Sequence, residues 1–290
     1  MKVLLAGLID DEWRRELGAA MPEAQWVEGD CDDADAAVVA NPPPCALAGQ
    51  RRLRLVQSLW AGVERLLADE TLPAGVPLAR MVDPALAAAM AETALWAVLS
   101  LHRGFFDYQA KQREGHWAPH RQRRADEVNV LLLGRGEMGG AVGERLAPLG
   151  YRLAAWHRGV ELAPLLAVAD IVVNLLPLTP ATRGLLDARF FAALPAGAAL
   201  VNLARGAHVV EADLLAALDG GRLRHAVLDV FATEPLPAGH PFWAHPQVTV
   251  LPHVAAWTDP RSASRVAAAN LRALRDGRPV AHLVDRGRGY

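Results

Sequence analysis

Three side chains with complementary acid–base chemistry follow apolar segments in the second half of the chain: Arg205, Glu234 and His253. In α/β proteins, ligand-binding groups collect outside the carboxyl ends of parallel strands, so we expect these side chains to meet. A guanidinium holds a carboxylate through two parallel hydrogen bonds, and an imidazole beside a carboxylate exchanges protons. This set of groups suits the reduction of a small 2-oxo acid, provided that a hydride donor binds nearby.

A glycine-rich turn upstream is suited to hold such a donor. The segment Gly134–Gly139 directly follows the predicted strand Val128–Leu133 and opens the helical pattern Glu137–Leu149. The first glycine permits a tight turn, the second admits a pyrophosphate, and the third allows close helix–strand packing beside the helix dipole. A purely structural glycine turn is the alternative. We predict a nicotinamide dinucleotide site whose residues include Gly134, Gly136, Glu137, Met138 and Gly139.

The end of the next predicted strand indicates which dinucleotide is bound. About twenty residues after such a turn, an NAD-binding chain carries an acidic residue that bonds the ribose hydroxyls. This chain has Trp156, His157 and Arg158 there, without a carboxylate. Because Arg158 can pair with a 2′-phosphate, we predict NADPH as the preferred cofactor, with His157 and Arg158 beside it. NAD is the alternative, since Arg158 could be a plain surface residue and Glu161 lies nearby.

The composition is that of a globular protein with room for two domains. Of the 290 residues, 52% are hydrophobic and 21% are charged, and the formal net charge is -2. This balance gives no broad attraction to nucleic acid or to an anionic membrane, so neither is predicted as a partner. Cys31 and Cys45 are predicted to be free thiols in no metal-ligand spacing. No metal site is therefore expected. A cytoplasmic protein is expected, because the apolar runs Val3–Ile9 and Pro84–Leu101 favour a buried strand and a buried helix over a signal peptide and a membrane span.

Short apolar runs alternate with helical patterns along most of the chain, which is typical of parallel sheets covered on both faces. The predicted strands are Val3–Leu8, Ala36–Ala40, Leu55–Leu59, Val128–Leu133, Arg152–Trp156, Ile171–Leu176, Ala198–Leu203, Ala226–Val230 and Val248–Leu251. One long helix is predicted from Pro84 to about Gln112, with Asp83 as its N-cap. The predicted fold class is therefore α/β with parallel sheets.

Five further segments, in order along the chain, resemble the D-isomer-specific 2-hydroxyacid dehydrogenase family. They are Leu176–Gly184, Asn202–Gly206, Leu228–Phe231, Glu234–Pro237 and Pro252–Ala256. Within that family, Trp156–Arg158 and the ending Val284–Tyr290 look most like the glyoxylate/hydroxypyruvate reductase A branch, which favours NADPH. The resemblance implies two Rossmann-like domains with a cleft between them. Residues 1–97 and 261–290 would form a flavodoxin-like substrate-binding domain, and residues 98–260 the NAD(P)-binding domain.

The resemblance also implies roles for individual residues. Arg205 would hold the substrate carboxylate and polarise the carbonyl, while His253 would donate the proton and Glu234 would favour its imidazolium form. Further cofactor-side positions are Pro177, Thr182, Leu203, Ala204 and Asp229, the last orienting the nicotinamide carboxamide. The substrate-binding set would be Trp60, Ala61, Gly62, Arg205 and His253. A structural role is predicted for His102, His116, His208 and His225.

The expected activity is the NADPH-dependent reduction of a small 2-oxo acid, of the glyoxylate or hydroxypyruvate type, to the D-2-hydroxy acid. The helix from Pro84 resembles the family's dimer-forming element, so a homodimer is expected. Two alternatives stay open at this point. One is an NAD-dependent D-2-hydroxyacid dehydrogenase with another substrate preference, and the other is a non-enzymatic dinucleotide-sensing protein.

Overall fold

The computed structural model describes residues 1–29 and 31–290. The chain forms two compact units, the first comprising Met1–Leu86 with Thr258–Tyr290 and the second comprising Ala87–Trp257. The expected division lay later in the chain, at 97/98 and 260/261. The first boundary falls earlier because buried residues such as Ala91, Ala94 and Leu101 pack in the hydrophobic core of the second unit.

The first unit contains a parallel five-stranded sheet. Its strands are β1 Lys2–Gly7, β2 Gln25–Val27, β3 Ala36–Ala40, β4 Val56–Ser58 and β5 Leu78–Ala79. They lie in the order β2-β1-β3-β4-β5, which is the flavodoxin-like arrangement of a doubly wound sheet. It is the first of the two parallel sheets expected from the sequence. The short strands β2 and β5 were not predicted, since three and two residues carry too little alternation to be read from the sequence.

Both faces of this sheet are buried because neighbouring residues of each strand point to opposite sides. In β1, Val3 and Leu5 belong to one hydrophobic cluster and Leu4 to the other. The C-terminal residues also join this unit, where the Val284 amide donates to the Leu78 carbonyl at 2.8 Å. The helices of the first unit are α1 Asp11–Ala20, α2 Glu64–Leu67 and, near the end of the chain, Pro260–Arg275, which becomes α9 in chain order.

The second unit contains a parallel six-stranded sheet. Its strands are β6 Asn129–Leu133, β7 Arg152–Trp156, β8 Ile171–Asn174, β9 Ala198–Asn202, β10 Leu223–Leu228 and β11 Val248–Val250. They lie in the order β11-β10-β9-β8-β6-β7. β7 therefore lies on one side of β6, and the later strands β8 to β11 lie on the other side. Such a reversal marks the switch point, where doubly wound sheets bind their ligands at the carboxyl ends of the strands.

Helices cover this second sheet. They are α3 Pro84–Arg103, which starts in the first unit, α4 Phe105–Arg113, α5 Glu137–Leu146, α6 Ala163–Leu166, α7 Ala188–Ala193 and α8 Glu211–Asp219. Short 3-10 turns lie at Ala125–Glu127, Ala147–Leu149, Gly206–His208 and Pro241–Trp243. By length and composition alone, α3 could cross a membrane, but its buried side chains pack with Val128 and Val130 as in a core helix.

The prediction of one long helix from Pro84 to Gln112 is wrong. The helix is interrupted at Gly104, whose φ of 70° lies in the left-handed region, and α4 begins at the next residue. This φ strains a residue that carries a Cβ, so glycine is favoured at this position. The apolar pattern continues through Gly104, so the pattern alone does not show this break.

The second sheet contains a buried histidine, His225, whose surroundings disfavour its charged form. His225 is 7% exposed, stacks on Phe106 with ring centroids 4.3 Å apart, and its Nε2 lies 2.9 Å from the Thr249 hydroxyl. Burial lowers the pKa of His225 from 6.5 to about 4, with smaller contributions from the charges of Arg224 and His245. The unfolded chain therefore binds one more proton than the folded chain between these two pH values.

We expect the free energy of unfolding to fall by up to about 3 kcal/mol through this group as the pH drops from 6.5 to 4. Replacing His225 with glutamine should flatten that dependence. Urea unfolding at several pH values measures it, and the exposed His116→Gln variant is the matched control. Equal slopes for the parent and the His225 variant would show that this histidine does not cause the acid sensitivity.

Candidate active site

The three predicted reactive residues follow three neighbouring parallel strands of the second unit. Arg205 follows β9, Glu234 follows β10 and His253 follows β11. These strands are adjacent in the sheet, so their carboxyl ends share one edge. The position expected from the sequence is thus the position in the structure, although the catalytic roles themselves stay predictions.

His253 and Glu234 form a direct pair. Nδ1 of His253 lies 2.7 Å from Oε2 of Glu234, and the other carboxylate oxygen accepts the Phe231 amide at 2.9 Å. Because a carboxylate only accepts, Nδ1 carries the hydrogen and donates it. The imidazole is thereby oriented with Nε2 as the nitrogen for proton exchange. The His253 side chain is 52% exposed, so the imidazole is accessible to solvent.

The backbone at His253 is in an unusual conformation that Asp229 stabilises. His253 has a φ of 57°, a left-handed geometry that costs a residue with a Cβ about 1–2 kcal/mol. Its amide donates to the Asp229 carbonyl at 2.9 Å. The carboxylate Oδ1 of Asp229 accepts the amides of Val254 at 2.7 Å and Ala255 at 3.0 Å. The turn that presents His253 is therefore fixed by Asp229.

Asp229 itself is almost completely buried, at 1% exposure. Burial raises the pKa of Asp229, while the hydrogen bonds from Val254 and Ala255 act in the opposite direction. The sequence placed this residue at the nicotinamide carboxamide, which stays a prediction. Its contacts within the chain give it a second task that the sequence did not indicate, the positioning of the His253 turn.

The turn at Arg205 is held against the turn that contains Glu234. Arg205 has extended backbone geometry and is followed by the 3-10 turn Gly206–His208. A Cβ on Gly206 would lie 1.8 Å from the carbonyl carbon of Phe231, so the two turns are in direct backbone contact. The guanidinium Nη1 donates to the Ala204 carbonyl at 2.6 Å. Leu203 and Ala204, predicted near the cofactor, are buried beside this turn.

The glycine turn has the geometry that a dinucleotide needs. Gly134 has a φ of 108°, and a Cβ on Gly139 would lie 2.1 Å from the Gly134 carbonyl oxygen, so both positions require glycine. A Cβ on Gly136 would meet no described atom within 4 Å, which leaves open space before the first turn of α5. No side chain of the described residues caps α5, so the amides near Glu137 and Met138 are available to a phosphate. The residues therefore fit a dinucleotide.

The predicted adenosine-side residues lie next to this turn. The Gly134 amide donates to the Trp156 carbonyl at 2.9 Å, which places the end of β7 beside the glycine turn. Arg158 follows in an exposed position, and Nδ1 of His157 lies 3.0 Å from the Arg158 carbonyl. The indole of Trp156 donates to the Val160 carbonyl at 2.8 Å and fixes this short loop. The loop thus carries an exposed arginine close to the glycine turn.

Two other predicted cofactor residues lie in one loop after β8. The Thr182 hydroxyl donates to the Pro177 carbonyl at 2.8 Å and accepts the Thr179 amide at 2.8 Å. The Thr182 side chain therefore stabilises its own loop, and any contribution to a cofactor acts through the shape of that loop. Pro177 is partly buried.

The predicted substrate-binding residues Trp60, Ala61 and Gly62 follow β4 in the first unit. The Trp60 amide donates to the Ser58 hydroxyl at 3.0 Å, and the Trp60 ring packs edge to face on Trp13 with centroids 6.0 Å apart. Trp60 is thus a packing residue of the first unit as well as a candidate for substrate contact. The binding role of all three residues stays a prediction.

Sequence reasoning missed a group of buried polar residues near Arg205, formed by Asn174, Asn202 and His208, each at 0% exposure. His208 was predicted only as a structural histidine. The available signal was Asn202, which lies three positions before Arg205 at the end of a buried strand. A buried amide in that place needs hydrogen-bond partners, and the sequence alone does not say where they are.

Comparison with known proteins agrees with this site. A family model described as D-isomer specific 2-hydroxyacid dehydrogenase, NAD binding domain, matches residues 95–255. A relative named glyoxylate/hydroxypyruvate reductase A, from Serratia proteamaculans, is 44% identical over 97% of this chain and 96% of its own length.

Solved structures give the same result. A D-isomer specific 2-hydroxyacid dehydrogenase from Xanthobacter autotrophicus Py2, in complex with NADPH and MES, is 37% identical with a TM-score of 0.95 over 100% of this chain and 99% of that chain. An NADPH-dependent glyoxylate/hydroxypyruvate reductase from Sinorhizobium meliloti, in complex with NADP and sulfate, is 32% identical with a TM-score of 0.93 over the same shares. The resemblance expected from the sequence is confirmed: this chain belongs to the D-isomer specific 2-hydroxyacid dehydrogenase family.

Proposed function

We propose that this protein reduces a small 2-oxo acid of the glyoxylate or hydroxypyruvate type to the D-2-hydroxy acid, with NADPH as the reductant. The observation that carries the proposal is the 2.7 Å pair between His253 and Glu234 on the strand edge that also bears Arg205. The names of the relatives and the NADPH or NADP in their solved structures support the same activity and cofactor.

Each residue of the pair and its neighbours has a defined task in this reaction. NADPH, when bound at the glycine turn, supplies the hydride that the carbonyl carbon receives. Arg205 binds the substrate carboxylate and polarises the carbonyl through its planar fork of donors. Nε2 of His253 gives a proton to the carbonyl oxygen as negative charge develops there, and Glu234 stabilises the imidazolium before the transfer. Solvent then returns the proton to the exposed imidazole.

A steady-state substrate panel tests this function. Glyoxylate, hydroxypyruvate, pyruvate and larger 2-oxo acids are each offered with NADPH and with NADH, and cofactor oxidation is followed. We expect glyoxylate and hydroxypyruvate with NADPH to give the highest kcat/KM. Faster turnover with NADH would favour the NAD-dependent alternative. Tight NADPH binding without turnover of any acid would contradict the proposal and favour a dinucleotide sensor.

The Arg158→Ala variant tests the cofactor preference. Loss of charge-assisted hydrogen bonds to the 2′-phosphate should raise the KM for NADPH by about 10-fold to 100-fold, with the KM for NADH nearly unchanged. Initial rates over a range of each cofactor measure both constants. Arg152→Ala, at the start of the strand β7 that Arg158 follows, is the matched control. Equal changes for NADPH and NADH would rule out Arg158 as the residue that selects the phosphate.

The Glu234→Gln variant tests the tuning of His253. Glutamine keeps a hydrogen-bond acceptor for Nδ1 but removes the charge that favours imidazolium, so the pH profile of reduction should move to lower pH. The profile of kcat/KM against pH measures this displacement. Asp219→Asn is the matched control, since Asp219 pairs with His245 at 3.3 Å elsewhere in the same unit. If the profile of kcat/KM against pH is the same in the variant and the parent protein, Glu234 does not influence the acid–base step.

We also propose that the protein forms a homodimer. Trp96, Phe105 and Trp117, on α3, on α4 and just beyond it, are 41%, 51% and 96% exposed, and large exposed apolar side chains often mark an interface. A second copy of the chain is the partner that the family resemblance implies. Light scattering on the purified protein should give twice the chain mass, and a monomer at micromolar concentration would contradict this proposal.

A further inference from the structure

The three missed polar residues form a continuous hydrogen-bonded network between the ends of β8 and β9. Nδ2 of Asn174 lies 3.0 Å from Oδ1 of Asn202 and 3.0 Å from Nδ1 of His208. Oδ1 of Asn174 accepts the Leu176 amide at 3.2 Å. The network is completely buried, so each of its groups depends on partners within the chain.

The hydrogen bonds of Asn174 determine where the ring hydrogen of His208 lies. Since Oδ1 of Asn174 accepts an amide hydrogen, its Nδ2 is the donor to both Asn202 and His208. Nδ1 of His208 must then be an acceptor, which leaves the hydrogen on Nε2. Nε2 lies 3.3 Å from the Pro177 carbonyl and donates to it. In this arrangement the imidazole of His208 is neutral, with its hydrogen on Nε2.

The two ends of the network hold two segments for which different ligands are predicted, the Arg205 turn for the substrate and the Pro177 loop for the cofactor. On one side, Nδ2 of Asn202 donates to the Arg205 carbonyl at 3.1 Å, and Oδ1 accepts the Ala204 amide at 3.3 Å. On the other side, His208 holds the carbonyl of Pro177, in the loop that precedes Thr182. Three apolar side chains could fill the same space and would need no hydrogen-bond partners. They could not, however, hold the Arg205 turn or the Pro177 loop in place by hydrogen bonds.

We propose that Asn174, Asn202 and His208 are positioning residues that couple the Arg205 turn, which binds substrate, to the Pro177 loop, which faces the cofactor. This inference rests on the proposed function. His208 connects the two segments through its two ring nitrogens. Nδ1 is linked through Asn174 and Asn202 to the Arg205 turn, and Nε2 is bonded to the Pro177 carbonyl. Loss of the Nε2 bond to Pro177 should therefore weaken cofactor binding more than substrate binding. Loss of the Nδ1 bond to Asn174 should have the opposite effect.

Two substitutions at His208 separate the two sides. Asparagine places a polar atom near the former Nδ1 and should keep the Asn174 bond while losing the Pro177 bond. Glutamine reaches the former Nε2 and should keep the Pro177 bond while losing the Asn174 bond. For His208→Asn we expect the Kd for NADPH to rise about fivefold to tenfold, the effect of one lost hydrogen bond, with the KM for the 2-oxo acid changed less than about threefold. For His208→Gln we expect the reverse.

The Kd is measured by fluorescence titration with NADPH alone, and the KM by initial rates with hydroxypyruvate, after thermal melting has shown that each variant is folded. His225→Gln, at another buried histidine of the same unit, is the matched control for a general loss of stability. Equal changes of both constants in both variants, or no change in either, would overturn the coupling. If the parent protein turns over no 2-oxo acid, the proposed function fails, while the NADPH titration of His208→Asn still tests the Pro177 side.

A measurement on the parent protein covers the case in which the variants do not fold. Nitrogen-15 NMR of protein labelled at histidine distinguishes a ring nitrogen that carries hydrogen from one that does not. We expect His208 to show a bare Nδ1 and a protonated Nε2 at neutral pH. Hydrogen on Nδ1 would place a donor against the Asn174 amide and would overturn the proposed network.

Discussion

Replacing His253 with glutamine is expected to lower kcat/KM for 2-oxo acid reduction by about a hundredfold to ten-thousandfold, the usual contribution of a positioned general acid. Glutamine can still make hydrogen bonds at this position, but it cannot release a proton to the carbonyl oxygen. The Kd for NADPH should change less than about threefold, because the glycine turn Gly134–Gly139 lies after another strand, β6. Initial rates and fluorescence titration measure the two quantities separately.

His245→Gln is the matched control for this variant, since His245 also pairs with a carboxylate, with Nε2 3.3 Å from Oδ1 of Asp219. It should retain the activity of the parent protein. Full activity of the His253 variant would remove this residue from the proton transfer. An equal loss in both histidine variants would indicate a general effect of histidine replacement in this unit.

Replacing Arg205 with lysine is expected to lower kcat/KM by about a hundredfold to a thousandfold, which is the effect of losing a donor aimed at developing negative charge. Lysine keeps the positive charge, but its ammonium cannot form the two parallel hydrogen bonds that a carboxylate accepts from a guanidinium. The loss should appear in both kcat and KM, because the same side chain binds the carboxylate and polarises the carbonyl. Steady-state kinetics with hydroxypyruvate give both constants.

Arg189→Lys, at an exposed position of α7, is the matched control and should behave as the parent protein. A second comparison uses oxamate, a 2-oxo acid analogue that is not reduced. Its inhibition constant should rise in the Arg205 variant if the guanidinium holds the carboxylate. Unchanged oxamate inhibition together with an unchanged kcat would show that Arg205 does not contact the substrate.

The features that the sequence predicted well are those with a local cause. The glycine turn after β6 needs a left-handed Gly134 and a close approach at Gly139, and both requirements are visible as glycines at fixed spacing. Arg205, Glu234 and His253 lie at one edge, as expected, because each follows a strand of the same parallel sheet and such strands end at a common edge.

The features that the sequence did not predict depend on residues far apart in the chain. The left-handed turn at His253, for example, is held by the carboxylate of Asp229, 24 positions earlier in the chain. The polar network near Arg205 joins Asn174 to His208, which is 34 positions away. A buried polar side chain can be found in a sequence only as an exception to an apolar pattern, and its partners are found in three dimensions.

The central claim is that hydride passes from NADPH to the carbonyl carbon of a small 2-oxo acid, and isotope transfer tests it most directly. The protein is incubated with hydroxypyruvate and NADPH that carries deuterium at the transferred position of the nicotinamide ring. Mass spectrometry after chiral separation should find D-glycerate with one deuterium on C2. Product without deuterium, L-glycerate, or unchanged hydroxypyruvate in the presence of bound NADPH would contradict the proposed function.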